Sequence, residues 1–220
     1  MFTHLLITAA VAYLLGSLPF GYLVARAKGV NIFEVGSRNP GATNVRRVLG
    51  NGPGNLVLAL DAAKGLVAVA LGYFHVMFAN GALHSITVNC DTDVDLTRPV
   101  VALIAAMLGH SFSCFTKFRG GKGVATGAGG FALLFPEGAG IAVLVWGLTA
   151  GASRYVSLAS MLATASLPVS AWLLHRSPLL IGVSAAVAVF VVIRHRANIS
   201  RLLAGTESKM GRKQPDETKS

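Results

Sequence analysis

GVATGAGGFALLFPEGAGIAVLVWGLTA, residues 123 to 150, is the stretch whose reading decides how this chain is folded. As one tilted apolar helix it would cross a bilayer once; as two short helices broken at Pro136, Glu137 and Gly138 it would cross twice. Every later segment changes sides with that choice. A single crossing sends Arg194, Arg196, Arg201, Lys209, Arg212, Lys213 and Lys219 to the outer face, against the strong bias of lysine and arginine toward the cytoplasm. Two crossings place them with Arg26, Lys28, Arg38, Arg46, Arg47, Lys117, Arg119, Lys122 and Arg154 on one side, and leave only Arg98 and Arg176 on the other. The charge pattern therefore predicts two helices.

Working outward, the apolar runs at 5–25, 55–79, 100–115, 155–174 and 178–193 are each long enough, or nearly so, to span a hydrocarbon core of about 30 Å. The chain is 53% hydrophobic and 13% charged, with a mean hydropathy of +0.62, which excludes an ordinary soluble domain. The reading is an all-α polytopic membrane protein of about seven transmembrane helices, N-terminus out and C-terminus in. Residues 1–205 form one membrane domain and 206–220 a flexible polar cytoplasmic tail. The first run is a retained helix rather than a signal peptide, kinked at Pro19, where a neighbour must satisfy the freed carbonyl. Asp61 and Lys64, one turn apart inside the second run, are read as a neutralising ion pair. The acidic segment from Asn80 to Pro99 is an external loop, without the spacing of a calcium site. Cys90 and Cys114 lie at opposite ends of an apolar run and do not bridge. A formal net charge of +10 raises nucleic acid as a partner, but topology accounts for the basic residues, so no nucleic acid is expected.

Three polar stretches then fall on the inner face. The first is Gly36-Ser-Arg-Asn-Pro-Gly-Ala-Thr-Asn-Val-Arg-Arg47. Its glycines let backbone N–H groups converge on an anion, Ser37, Thr43 and Asn44 add polar groups, and Arg46 or Arg47 adds full charge. The second runs from Gly109-His-Ser-Phe112 to Phe118-Arg-Gly-Gly-Lys-Gly-Val-Ala-Thr126, with Lys122 at a helix N-terminus, where free N–H groups favour phosphate. It is not a Walker A loop, because Gly123 stands where serine or threonine is required. The third is Arg194-His-Arg-Ala-Asn-Ile-Ser-Arg201, followed by Gly205 and Glu207. On a helix His195 and Asn198 share a face, and a topology anchor requires neither type.

Together, and in this order over almost the whole chain, the three stretches resemble the cytosolic motifs of the bacterial acyl-phosphate:glycerol-3-phosphate acyltransferase family, PlsY. The resemblance implies transfer of a fatty acyl group from acyl phosphate to the sn-1 hydroxyl of glycerol 3-phosphate, giving lysophosphatidic acid and phosphate at the cytoplasmic face of the bacterial inner membrane. It implies Ser37, Arg47, Lys122, His195 and Asn198 as catalytic residues. Gly36, Asn39, Gly41, Thr43, Asn44, His110, Gly121, Gly123, Thr126 and Arg201 would bind the two substrates. Membrane lipids are the surroundings, no cofactor or metal is expected, and the chain is read as a monomer. Two departures stand out: the family usually has glycine where this chain has Arg38, and the loop from Asn80 to Arg98 is longer than usual.

Acyl phosphate carries a good leaving group, so gripping its phosphate stabilises the charge that grows as the bond breaks. His195 and His110 are both candidates for the base; the donor's own phosphate oxygen is favoured, since no carboxylate in the three stretches is placed for the task. Glu207 is expected to pair with an arginine. None of the six histidines has aspartate five residues on, as an His-x-x-x-x-Asp acyltransferase needs. The rival reading is a small transporter or channel for an organic phosphate, which would need a polar path across the bilayer.

Overall fold

The computed structural model describes residues 2–79 and 95–211, with side chains from 2 to 74 and from 95 onward. Most of the acidic loop, Cys90 and the tail residues Arg212, Lys213 and Lys219 lie outside the described residues. All regular structure within them is helical: α1 (Phe2–Ser17), α2 (Phe20–Arg26), α3 (Ala42–Leu49), α4 (Asn51–Ala79), α5 (Thr97–Ser111), α6 (Val124–Leu134), α7 (Pro136–Ser153), α8 (Val156–Leu173), α9 (Pro178–Arg194) and α10 (Arg196–Leu203), with one 3-10 turn at Cys114–Thr116.

Four segments are long and apolar enough to cross a membrane: Phe2–Arg26, Asn51–Phe74, Thr97–Thr116 and Val156–Leu173. A fifth arises if α9 and α10, bent by 60° at His195, count as one broken span. α6 has 11 residues. At 1.5 Å per residue that is about 16 Å, roughly half a hydrocarbon core. Large apolar side chains such as Val143, Leu144, Leu148, Val169 and Val189 are exposed, as lipid-facing positions should be.

The chain divides into two compact units, residues 1–19 with 60–136, and residues 20–59 with 137–220. In the first, α1 packs on α5 and α6 on the later part of α4, both through small residues. A Cβ on Gly16 would strike the backbone of Ala106, and one on Gly109 the backbone of Tyr13 and Ser17. Gly65 and Gly129 repeat the arrangement against Thr126 and Ala62. Without a hydrophobic drive between helices in lipid, such close backbone approach supplies the packing energy. The Leu15 carbonyl that Pro19 leaves without its helical donor takes the Leu18 N–H at 3.2 Å, and Lys64 Nζ donates to the Leu18 carbonyl in the break at 2.9 Å.

In the second unit, Ala25, Ile32, Val45 and Val57 form a core under α2, α3 and the start of α4. The helix break at Phe135 and Pro136 falls where the sequence puts it. Glu137 at the start of α7 pairs with Arg176 from the α8–α9 turn at 2.9 Å. At the opposite end, Arg154 from the α7–α8 corner donates to the Met210 carbonyl at 3.1 Å and accepts from the Met210 N–H at 2.7 Å. α7 therefore runs the full length between these two ends.

Candidate active site

The second unit holds the first and third polar stretches. Gly36 adopts a φ of +58°, and Asn44, nearly fully buried, clamps the turn it makes. Its Oδ1 accepts from the Ser37 N–H at 2.8 Å, and its Nδ2 donates to the Val35 carbonyl at 3.1 Å. Asn44 thus shapes the loop, whereas the sequence reading has it on a substrate. Asn39 makes a side-chain turn of its own, accepting from the Gly41 N–H at 2.9 Å. Ser37 and Thr43 are exposed, Thr43 in the first turn of α3, which starts at the Gly41 cap.

The structure also separates the two arginines. Arg46 is tied to Asn55 at 2.6 Å and packed by Gly54. Arg47 is half-buried; desolvation lowers it from the ordinary guanidinium value, the charge of Glu207 works the other way, and Arg201 adds to the lowering. Arg47 therefore shares an electrostatic neighbourhood with the third stretch, some 150 residues away along the chain.

Glu207 gathers that stretch. Gly205, at φ +68°, ends α10 in the left-handed conformation and turns the chain back. Glu207 Oε1 then accepts from Asn198 Nδ2 at 2.6 Å and from Ser157 Oγ at 2.7 Å, and Oε2 accepts from Arg201 Nε at 2.7 Å. Burial pushes this carboxyl up, but the three hydrogen bonds and the Arg201 charge outweigh it and hold the group below its ordinary value. The expected arginine pair is present, yet its role is larger than one pair. Ser157, in the first turn of α8, is a site residue that sequence reasoning missed; nothing marks one serine among many in an apolar helix.

His195 occupies the 60° break between α9 and α10 and is buried. Its Nδ1 lies 2.8 Å from the Val191 carbonyl. A carbonyl only accepts, so Nδ1 carries a proton, and any proton exchange by this ring runs through Nε2.

The first unit holds the second stretch. Tyr13 Oη donates to the Phe112 carbonyl at 2.8 Å and Ser113 Oγ to the Ser17 carbonyl at 2.5 Å. Gly121 returns its N–H to the His110 carbonyl at 3.1 Å. Lys122 is half-buried, and Gly123, at φ +81°, caps α6. Thr126 is completely buried one turn into α6, its carbonyl against Gly65, and so supports the helix start. Asp61 and Lys64 do form the expected pair, at 2.8 Å, and His110 joins it, with Nδ1 3.4 Å from Asp61 Oδ1.

These features define a class: an all-helical, multi-pass membrane protein whose polar loops are built from glycines, hydroxyls and cations suited to phosphoryl groups. The family profile described as "Glycerol-3-phosphate acyltransferase" matches residues 6–205. A glycerol-3-phosphate acyltransferase of Nostoc sp. is 45% identical over 214 residues, covering 94% of this chain and 92% of the relative. One of Desulforamulus reducens is 44% identical over 203 residues, covering 92% and 93%. Among solved structures, PlsY, an integral membrane glycerol 3-phosphate acyltransferase, superposes in its glycerol 3-phosphate form with a TM-score of 0.81 at 35% identity, over 94% of this chain and 96% of that one. Its lysophosphatidic acid form gives 0.77. The chain belongs to the glycerol-3-phosphate acyltransferase family.

Proposed function

We propose that this protein transfers a fatty acyl group from acyl phosphate to the sn-1 hydroxyl of glycerol 3-phosphate at the cytoplasmic face of a bacterial inner membrane. The observation that carries the reading is the meeting of the first and third stretches over Glu207. It fixes Arg47, Asn198 and Arg201 in one neighbourhood with a surplus of positive charge. Such a set suits a dianionic phosphate monoester. Family membership and the glycerol 3-phosphate form of the PlsY structure support the same substrate.

In this scheme Ser37, Thr43 and the free N–H groups opening α3 serve the acyl-donor phosphate together with Lys122. Arg47, Lys122, His195, Asn198 and Arg201 serve glycerol 3-phosphate, holding its hydroxyl against the acyl carbon. The hydroxyl oxygen bonds to that carbon, the carbon–oxygen bond to phosphate breaks, and the hydroxyl proton goes to a phosphate oxygen of the donor. Lysophosphatidic acid and inorganic phosphate leave. Seven crossings, with the N-terminus out and the C-terminus in, bring all three stretches to the compartment that supplies glycerol 3-phosphate. A monomer suffices for the chemistry.

Purified protein given palmitoyl phosphate and glycerol 3-phosphate should form lysophosphatidate, and should form none with palmitoyl-CoA. Absence of product with palmitoyl phosphate, alongside phosphate-ester uptake into vesicles carrying the protein, would replace this reading with the transporter. Lys122→Ala should lower kcat/KM by roughly 100-fold or more, the usual loss for one donor to developing charge. Retained turnover would remove Lys122 from the phosphate grip.

A further inference from the structure

The proposed reaction leaves two buried charged groups unused. Asp61 and Lys64 lie on α4 with 2% and 4% of their surface exposed. Charged side chains at such a place in a membrane span are costly, and a neutralising pair could be dispensed with altogether by two apolar residues. What sets this pair apart is where its contacts lead.

Asp61 Oδ1 lies 2.8 Å from Lys64 Nζ and 3.4 Å from His110 Nδ1. The far side of the His110 ring carries Nε2, which lies against Gly121 so closely that a Cβ there would strike it. The His110 carbonyl accepts the Gly121 N–H at 3.1 Å. One turn of α4 beyond Asp61, Gly65 takes the Thr126 carbonyl in the same close manner. The segment 61–65 thus supports the glycine loop at both ends, through His110 where it returns and through Thr126 where α6 begins.

We infer that Asp61 and Lys64 are positioning residues for the phosphate-gripping loop: Asp61 fixes the His110 ring, and the ring fixes Gly121 and hence the approach of Lys122. Lys64 holds the Asp61 carboxylate in place at 2.8 Å, with its second bond to the Leu18 carbonyl at 2.9 Å fixing its own position. This role rests on the reading of Lys122 as a phosphate ligand.

The test uses the full-length protein in proteoliposomes. Asp61→Leu/Lys64→Gln removes both charges together, leaves no buried ion unpaired, keeps an amide donor for the Leu18 carbonyl and takes away the acceptor that faces His110. Melting temperature should stay near that of the wild type while KM for glycerol 3-phosphate rises about tenfold and kcat changes less. Added to Lys122→Ala, the double substitution should cause no further rise in KM, because both act on the same grip. A wild-type KM in the stable double variant, or a full tenfold rise on top of Lys122→Ala, overturns the inference. If the double variant fails to fold, His110→Asn withdraws the ring from Gly121 and leaves the Asp61–Lys64 pair in place. A raised KM at unchanged melting temperature then supports the role, and an unchanged KM overturns it. Failure of the functional reading would look different: the wild type itself would form no lysophosphatidate, or Lys122→Ala would leave kcat/KM untouched.

Discussion

Two carboxylates anchor two polar stretches, and they do so by different means. Glu207 lies beyond the last helix and is satisfied by a serine hydroxyl, an asparagine amide and one arginine that is itself partly exposed. Asp61 lies inside a span and has a full cation three residues away and an imidazole beside it. Near water, neutral donors can share the task of stabilising a charge. Within the bilayer, each charge needs a counter-charge on the spot, because little solvent remains to screen an error.

The comparison is broken most severely by removing one half of the inner pair. Asp61→Asn leaves Lys64 buried without a counter-charge and should cost about 3–5 kcal/mol, seen as a large fall in melting temperature or as loss of folded protein on purification. Glu207→Gln should cost less, about 1–3 kcal/mol, since the amide oxygen still accepts from Ser157 and Asn198 and only the partly exposed Arg201 loses its acceptor and counter-charge. An equal or greater loss at Glu207 would contradict the difference drawn here.

Acid titration sharpens the same contrast. The Glu207 carboxyl lies below its ordinary value, so its contribution is complete above the unfolded-state value of about 4.3 and is lost as pH falls through the lower folded value. The wild type should lose stability over that acid window more steeply than Glu207→Gln, measured as melting temperature against pH. The smallest effect concerns Arg38, which sits at φ +55°, a conformation natural to glycine. Arg38→Gly should stabilise by about 1 kcal/mol and raise the melting temperature by a few degrees.

Much of this arrangement is legible in the sequence. The break between α6 and α7 follows from Pro136, whereas neither of the two helices is among the segments long and apolar enough to cross a membrane. The Asp61–Lys64 pair follows from helical spacing. Pro19 announces a kink, though not that the Leu18 N–H turns back to the freed Leu15 carbonyl or that Lys64 reaches the Leu18 carbonyl in the break. What sequence does not reveal is which polar residues face inward to hold a loop. Asn44 and Thr126 belong to motifs and so read as ligands, yet both are buried, and Asn44 clamps the turn above it. Ser157 shows the converse, and the contact of His110 with Asp61 is equally hidden: their partners lie about 50 residues away, and no local period connects such pairs.

The reciprocal glycine notches between α1 and α5, and between α4 and α6, have a bearing on lipid traffic. Where one backbone nests directly in the next, at Gly16 and Gly109 and again at Gly65 and Gly129, no methylene chain fits between the two helices. Those crossings are closed to an acyl chain, and enlarging the glycines would pry the helices apart there.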